Sequence, residues 1–177
     1  MNPVATIALA LLLAASPSTA QVISSPPGDY QVSAVCSFVI ESLNSRDGRT
    51  PDGQEPMKNR CFGIFIAEVA SGSLNIHYTA AHPALPHDPL GTFVIPPGFK
   101  GPSLPVSHVA FGIGTKDQLV SDVFSGDCHL KNDKNVPILQ CRTVLKGRRG
   151  PAYDLLIVGT AGFSEPLSPS ILRRFLQ

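Results

Sequence analysis

Between residues 30 and 40 every second side chain is apolar: Tyr30, Val32, Ala34, Cys36, Phe38 and Ile40 alternate with Gln31, Ser33 and Ser37. A period of two predicts a β-strand with one buried face, and it points Cys36 inward. The stretch 61–70, Cys-Phe-Gly-Ile-Phe-Ile-Ala-Glu-Val-Ala, is apolar on both faces, as a strand inside a sheet is. Ser71-Gly72 then predicts a tight turn into a strand on which Leu74, Ile76 and Tyr78 alternate again. Further strands are predicted at 106–113, with Val109, Phe111 and Ile113 on one face, and at 119–124, 136–145 and 153–160. Along 136–145, Leu139, Cys141, Thr143 and Leu145 share a face.

Two stretches interrupt the pattern. Residues 44–60 are polar and hold Asp47-Gly48 and Pro51-Asp52-Gly53, which predicts a long exposed loop. Residues 80–105 carry seven prolines (83, 86, 89, 96, 97, 102 and 105), so a structured loop with one short strand at 92–95 is expected there, and not a sheet centre. At the far end Ser168 and Pro169 suit the cap and first position of a short helix over 170–176, with Ile171, Leu172 and Phe175 as its apolar stripe. The expected fold is all-β: a single sandwich or barrel of about eight strands with a short C-terminal helix and two disulfides.

The N-terminus follows a different pattern. An apolar run over 4–15 precedes Ser18-Thr19-Ala20, whose small residues suit signal peptidase. The run is shorter than the roughly 20 residues a membrane-crossing helix needs, so residues 1–20 read as a cleaved signal peptide and 21–177 as a single secreted β domain. No Lys or Arg lies ahead of the run and no Cys follows the cleavage region, which favours a eukaryotic secretory route over a bacterial lipoprotein.

That compartment changes the meaning of the four cysteines. An even number in an oxidising environment implies two disulfides, with three connectivities open. Cys128 and Cys141 enclose a short polar stretch, 130–136, suited to a turn between two strands, which favours Cys128–Cys141 as the local bridge and leaves Cys36–Cys61. Zinc is the competing reading, but neither pair has the short spacing that structural zinc prefers. The 14 basic and 13 acidic residues nearly cancel, to a formal net charge of +1, which argues against a nucleic-acid binder.

Candidate chemistry is sparse. His77, His82 and His87 recur every five residues and Asp88 follows, but residues five apart face opposite sides of a strand. Only a folded-back loop brings His82, His87 and Asp88 together as metal ligands, and exposed loop histidines are the simpler expectation. No G-x-S-x-G elbow occurs, oxidised cysteines offer no thiol, and Glu41, Glu68, Asp122 and Asp127 are surface carboxylates unless a cleft gathers them. Lys146, Arg148 and Arg149, with Arg142 just before them, read as a solvated hairpin tip, with a dibasic processing site or an anion-binding patch as the alternative. No N-x-[ST] sequon is present and Trp is absent, which counts against N-glycans and against an aromatic sugar platform.

One local pattern resembles a known family. Gly126-Asp127-Cys128, twelve residues, Cys141, and then Tyr153-Asp154-Leu155-Leu156-Ile157-Val158 resemble the end of the small fungal secreted proteins related to the major Alternaria allergen. That resemblance implies a β-barrel with a signal peptide and two intramolecular disulfides, and an allergen- or effector-like molecule acting on host proteins. It carries no functional residue over. The expected function is therefore a secreted non-catalytic interaction protein that binds a host or extracellular protein through the loops 44–60 and 80–105, with no cofactor and no membrane span. The alternatives are a secreted hydrolase using loop His and Asp residues, or a carrier of a small apolar ligand.

Mass spectrometry of the secreted protein is expected to find Gln21 at its N-terminus, one hydrogen missing per cysteine before reduction, and no cut at Arg149.

Overall fold

The computed structural model describes residues 28–80, 89–112 and 118–175, so the stretch 1–20, expected to be a signal peptide, lies outside the described residues. The described residues form twelve strands: β1 (Gly28–Val32), β2 (Val35–Ser42), β3 (Met57–Arg60), β4 (Gly63–Glu68), β5 (Leu74–Thr79), β6 (Pro89–Ile95), β7 (Ser103–Pro105), β8 (His108–Gly112), β9 (Gln118–Asp122), β10 (Ser125–Asp133), β11 (Val136–Leu145) and β12 (Leu155–Gly162). A 3-10 turn (Pro151–Tyr153) precedes β12, and one helix, α1 (Pro169–Phe175), ends the described chain. The strands make two antiparallel sheets of six, ordered β1-β4-β5-β6-β8-β9 and β3-β2-β12-β11-β10-β7. The sheets are not closed into a barrel, so the architecture is a sandwich.

The sandwich is built from two long antiparallel ribbons that each cross from one sheet to the other. In the first, β1 pairs with β4 in one sheet, and the same two chain segments continue as β2 pairing with β3 in the second. At the crossing, the Ser33 amide donates to Phe62 O (2.9 Å) and the Cys61 amide to Cys36 O (3.3 Å). Ala34 and Val35 are thus extra residues on one strand only, a bulge that lets the ribbon bend. The second ribbon repeats this. β8 pairs with β9 and β7 with β10, while Val123 donates to Ser107 O (3.0 Å) and Val106 to Gly126 O (3.0 Å), leaving Phe124 and Ser125 as the extra residues.

These corners account for the main departures from the sequence pattern. The alternation over 30–40 spans two strands in two different sheets, and its phase breaks at the bulge: Gln31 is buried while Val32 and Val35 are exposed, and burial on odd–even alternation resumes at Cys36, Phe38 and Ile40. The expected loop 44–60 ends early, because Met57–Arg60 is a polar edge strand on β2. The proline-rich stretch 80–105 was expected to avoid the sheet centre, yet β6 lies inside the first sheet between β5 and β8. Its prolines are compatible with this because Pro89 opens the strand, where a missing amide costs little, and Pro96 and Pro97 follow its end. Among the described residues twelve strands, several of them short, stand where about eight were expected.

Other expectations hold closely. The turn before β5 forms through Val69 N to Ser73 O (3.0 Å), and Leu74, Ile76 and Tyr78 are all buried. β10 and β11 are joined by the two residues Lys134 and Asn135, both at positive φ (48° and 68°), as a tight hairpin turn of matching twist requires. In α1, Ile171 and Phe175 are buried, and the helix is held by Arg174 paired with Glu68 (2.7 Å) and by Gly101 N donating to Arg174 O (3.0 Å). Among the described residues no helix is long and apolar enough to cross a membrane.

Both disulfides form, Cys36–Cys61 and Cys128–Cys141. Cys128 and Cys141 are direct partners across β10 and β11, fully buried on the inner face. Cys36–Cys61 sits at the first corner, just where its ribbon changes sheets. Closing loops of these lengths contributes on the order of 3 kcal/mol each on the chain-entropy view.

The sheets meet through three rings. Phe38 of the second sheet lies 6.1 Å from Tyr78 and 6.0 Å from Phe93 of the first, and Tyr78 and Phe93 are 5.6 Å apart edge to face. Gly91 lies directly under the Phe38 ring, and a Cβ on Gly159 would stand 2.6 Å from the Tyr78 ring. Replacing Gly91 by Ala is therefore expected to lower unfolding free energy by about 1–3 kcal/mol in urea titrations, whereas Gly162→Ala, whose Cβ meets only ordinary contacts at 3.7 Å or beyond, changes it by less than about 0.5 kcal/mol.

Candidate functional site

The functional candidate lies at the margin where β2 and β12 end side by side, Ser42 opposite Leu155. Two connections meet there, 43–56 after β2 and 146–154 before β12. They are joined by Asp154, whose buried carboxylate accepts from Gly147 N (2.9 Å) and from Lys146 Nζ (2.9 Å). The Gly147 amide first, and Lys146 second, hold that carboxyl below its usual range. The main chain of Asp154 is committed too: its amide donates to Pro151 O (3.1 Å) and its carbonyl accepts from Leu43 N (2.9 Å).

Outside this hub the loops clasp each other. Asp52 pairs with the Arg149 guanidinium and also accepts from Tyr153 Oη (3.1 Å), while that guanidinium lies 4.1 Å over the Tyr153 ring. Asn44 Nδ2 donates to Pro151 O (2.6 Å). Within 43–56, Asp47 accepts from Ser45 Oγ and from Arg49 N (3.1 Å), and Arg49 also pairs with Glu55. The Ser45 hydroxyl is the largest cause holding the Asp47 carboxyl below its ordinary value. Each exposed pair contributes little alone, but the set closes the loop on itself.

The basic cluster is exposed, yet two of its cations are paired. Lys146 is paired with Asp154 and lies 4.4 Å over the Phe124 ring, and Arg149 is taken by Asp52 and Tyr153. Arg148 is exposed between them.

Beneath the clasp is a half-open cavity of about 130 Å³. Ile40, Met57 and Leu155 line it from the second sheet and Phe111 from the first, with Ser42 and Thr50 toward the loop. Sequence reasoning passed over Ser42, although a signal was present: it continues the inward phase of Cys36, Phe38 and Ile40 by one more step. Asp52 and Tyr153 were also missed, since their pairing spans 101 residues and leaves no local pattern, and Asp154 was missed because nothing in its own stretch marks it as buried.

His82, His87 and Asp88 lie outside the described residues. His77 is on β5, where Nδ1 meets Thr92 Oγ1 at 2.7 Å and the ring stacks on Phe65 with centroids 5.7 Å apart. Among the described residues no group of three or more His, Cys, Asp or Glu could hold a metal ion. The nominated carboxylates lie apart: Glu41 lines the cavity, Glu68 pairs with Arg174, and Asp127 accepts from Ser103 Oγ at 2.6 Å. All four cysteines are in disulfides, so no thiol is free.

Fold and site together define a disulfide-bonded antiparallel β-sandwich with one loop-built margin. Comparison with protein-family models, with curated proteins and with solved structures found no match.

Burial pushes the His77 imidazole down from 6.5 to about 4. The unfolded chain therefore binds a proton that the folded one refuses as pH falls from 6.5 toward 4, so His77 costs stability progressively across that window, up to about 3 kcal/mol, and nothing above it. In denaturant titrations His77→Gln is expected to lack this share of the acid loss, read as the difference between variant and parent at each pH.

Proposed function

We propose that the protein is a secreted, non-catalytic interaction protein, effector- or allergen-like, which binds a host or other extracellular protein through loops carried on the sandwich. The observation that carries this reading is the clasp of 43–56 onto 146–154 by Asp52, Arg149 and Tyr153. Loops that are already ordered lose less conformational entropy on binding, so such a surface suits recognition. The predicted leader, the two disulfides and the near-neutral charge fit an extracellular life without a nucleic-acid partner. The resemblance in the Cys128–Cys141 region to the fungal allergen-related proteins points the same way.

Recognition is placed on 43–56 together with 146–154. Of the second loop first nominated, 80–105, much is sheet: β6 is a central strand and β7 an edge strand.

Replacing residues 44–56 by a Gly/Ser segment of equal length should leave the circular-dichroism spectrum of the sandwich unchanged. The same change should abolish capture of the extracellular partner that the parent protein retains, and Asp52→Ala should weaken it by about tenfold through faster dissociation. Equal capture by parent and loop-replaced protein would overturn the placement.

A further inference from the structure

The half-open cavity beneath the clasp adjoins an unexplained group. Ser42 is 3% exposed, it lines the cavity, and its hydroxyl has no hydrogen-bond partner. Buried hydroxyls in folded proteins are almost always bonded, and this one is covered by its neighbours, so a turn of the Ser42 side chain toward the adjoining volume is what lets a group from outside the chain complete it. The main chain at Ser42 is already satisfied, its amide donating to Gly48 O at 2.8 Å, and that bond fixes the strand end from which the hydroxyl projects.

The rest of the cavity specifies the shape and charge of its occupant. Its 130 Å³ is close to the roughly 150 Å³ of an apolar cavity known to take benzene, so it has room for one six-membered ring. Ile40, Met57, Leu155 and Phe111 offer apolar walls, with a thioether that adapts to a ring and a second ring to pack against it. No cationic side chain lines the volume, and Glu41 and Glu55 stand on its lining, the latter already paired with Arg49. An anionic head would meet two carboxylates and no cation on this lining, whereas a neutral hydroxyl can bond Ser42 without that repulsion.

We propose that this cavity is a binding site for a small uncharged molecule, about the size of a single aromatic ring, whose one hydroxyl hydrogen-bonds Ser42 Oγ while its ring packs among Ile40, Met57, Phe111 and Leu155. The site is separate from the loop surface offered to a protein partner: that surface is the outer side of the clasp, and this one lies beneath it. Because the ligand would enter under 43–56, its presence would also brace the loop from inside.

The test is an ¹⁵N NMR titration of the mature, disulfide-bonded protein with phenol, toluene and benzoate. Saturable phenol binding is expected, with the largest shifts at the amides of Ser42, Gly48, Thr50 and Leu155. Phenol should bind about tenfold more tightly than toluene, and benzoate should not saturate by about 10 mM. In Ser42→Ala the toluene affinity should persist while the preference for phenol disappears. Equal binding of phenol and toluene by the parent protein, benzoate binding as tight as phenol, shifts scattered over the surface, or no saturable binding at all would each overturn the proposal. These readouts involve no protein partner, so they are independent of the outcome for the loops.

Discussion

How closely the two sheets can approach is set by three rings and two residues without side chains. Phe38, Tyr78 and Phe93 fill the space between the sheets only because Gly91 and Gly159 leave room on the facing strands. Edge-to-face packing of these rings adds to the burial of their large apolar surfaces. Toward the end of β2 the inward positions become smaller. Two inward steps beyond Phe38 on the same strand stands Ser42, which cannot fill the gap that a ring fills at the centre. The cavity is the physical remainder of that mismatch.

The corners decide how the sheets are joined. Each ribbon carries two additional residues on one strand as it changes sheets, Ala34-Val35 in one and Phe124-Ser125 in the other, and the hydrogen bonds on either side of the two bulges correspond. The corners differ in their covalent support. Cys36–Cys61 lies across the first, whereas Cys128, just beyond the second, bonds sideways to Cys141 on β11 and so ties the hairpin to itself. One disulfide thus restrains the joint between sheets and the other a single sheet.

The sequence is most legible where one strand keeps one face buried from end to end. β5 and β11 could be read almost residue for residue, because Leu74, Ile76 and Tyr78, and Leu139, Cys141 and Leu145, meet the same core throughout. The cysteine pairing was legible for a related reason: the short polar turn between Cys128 and Cys141 constrains its partners locally. Legibility fails where the burial phase changes within an extended chain, as at Ser33 to Val35, since a period-two pattern cannot record a move between sheets. It fails again at β3, where Lys58 and Arg60 face solvent and the strand is defined by its ladder with β2 alone. Prolines misled at β6 because composition counts them without noticing that they stand at its ends. The site was the least visible part, being made from residues as far apart as Asp52 and Arg149, whose meeting depends on the completed fold.

The outer strands of the second sheet bear on how the protein behaves when concentrated. An open sheet edge presents unpaired amides and carbonyls on which another chain can add a strand. Here one edge is β3, four residues long with exposed Lys58 and Arg60, and the other is β7, three residues ending at Pro105. Charge on one side, and brevity with a residue lacking an amide on the other, leave little template for a second molecule. At high local density the second sheet therefore offers another copy little ladder to extend.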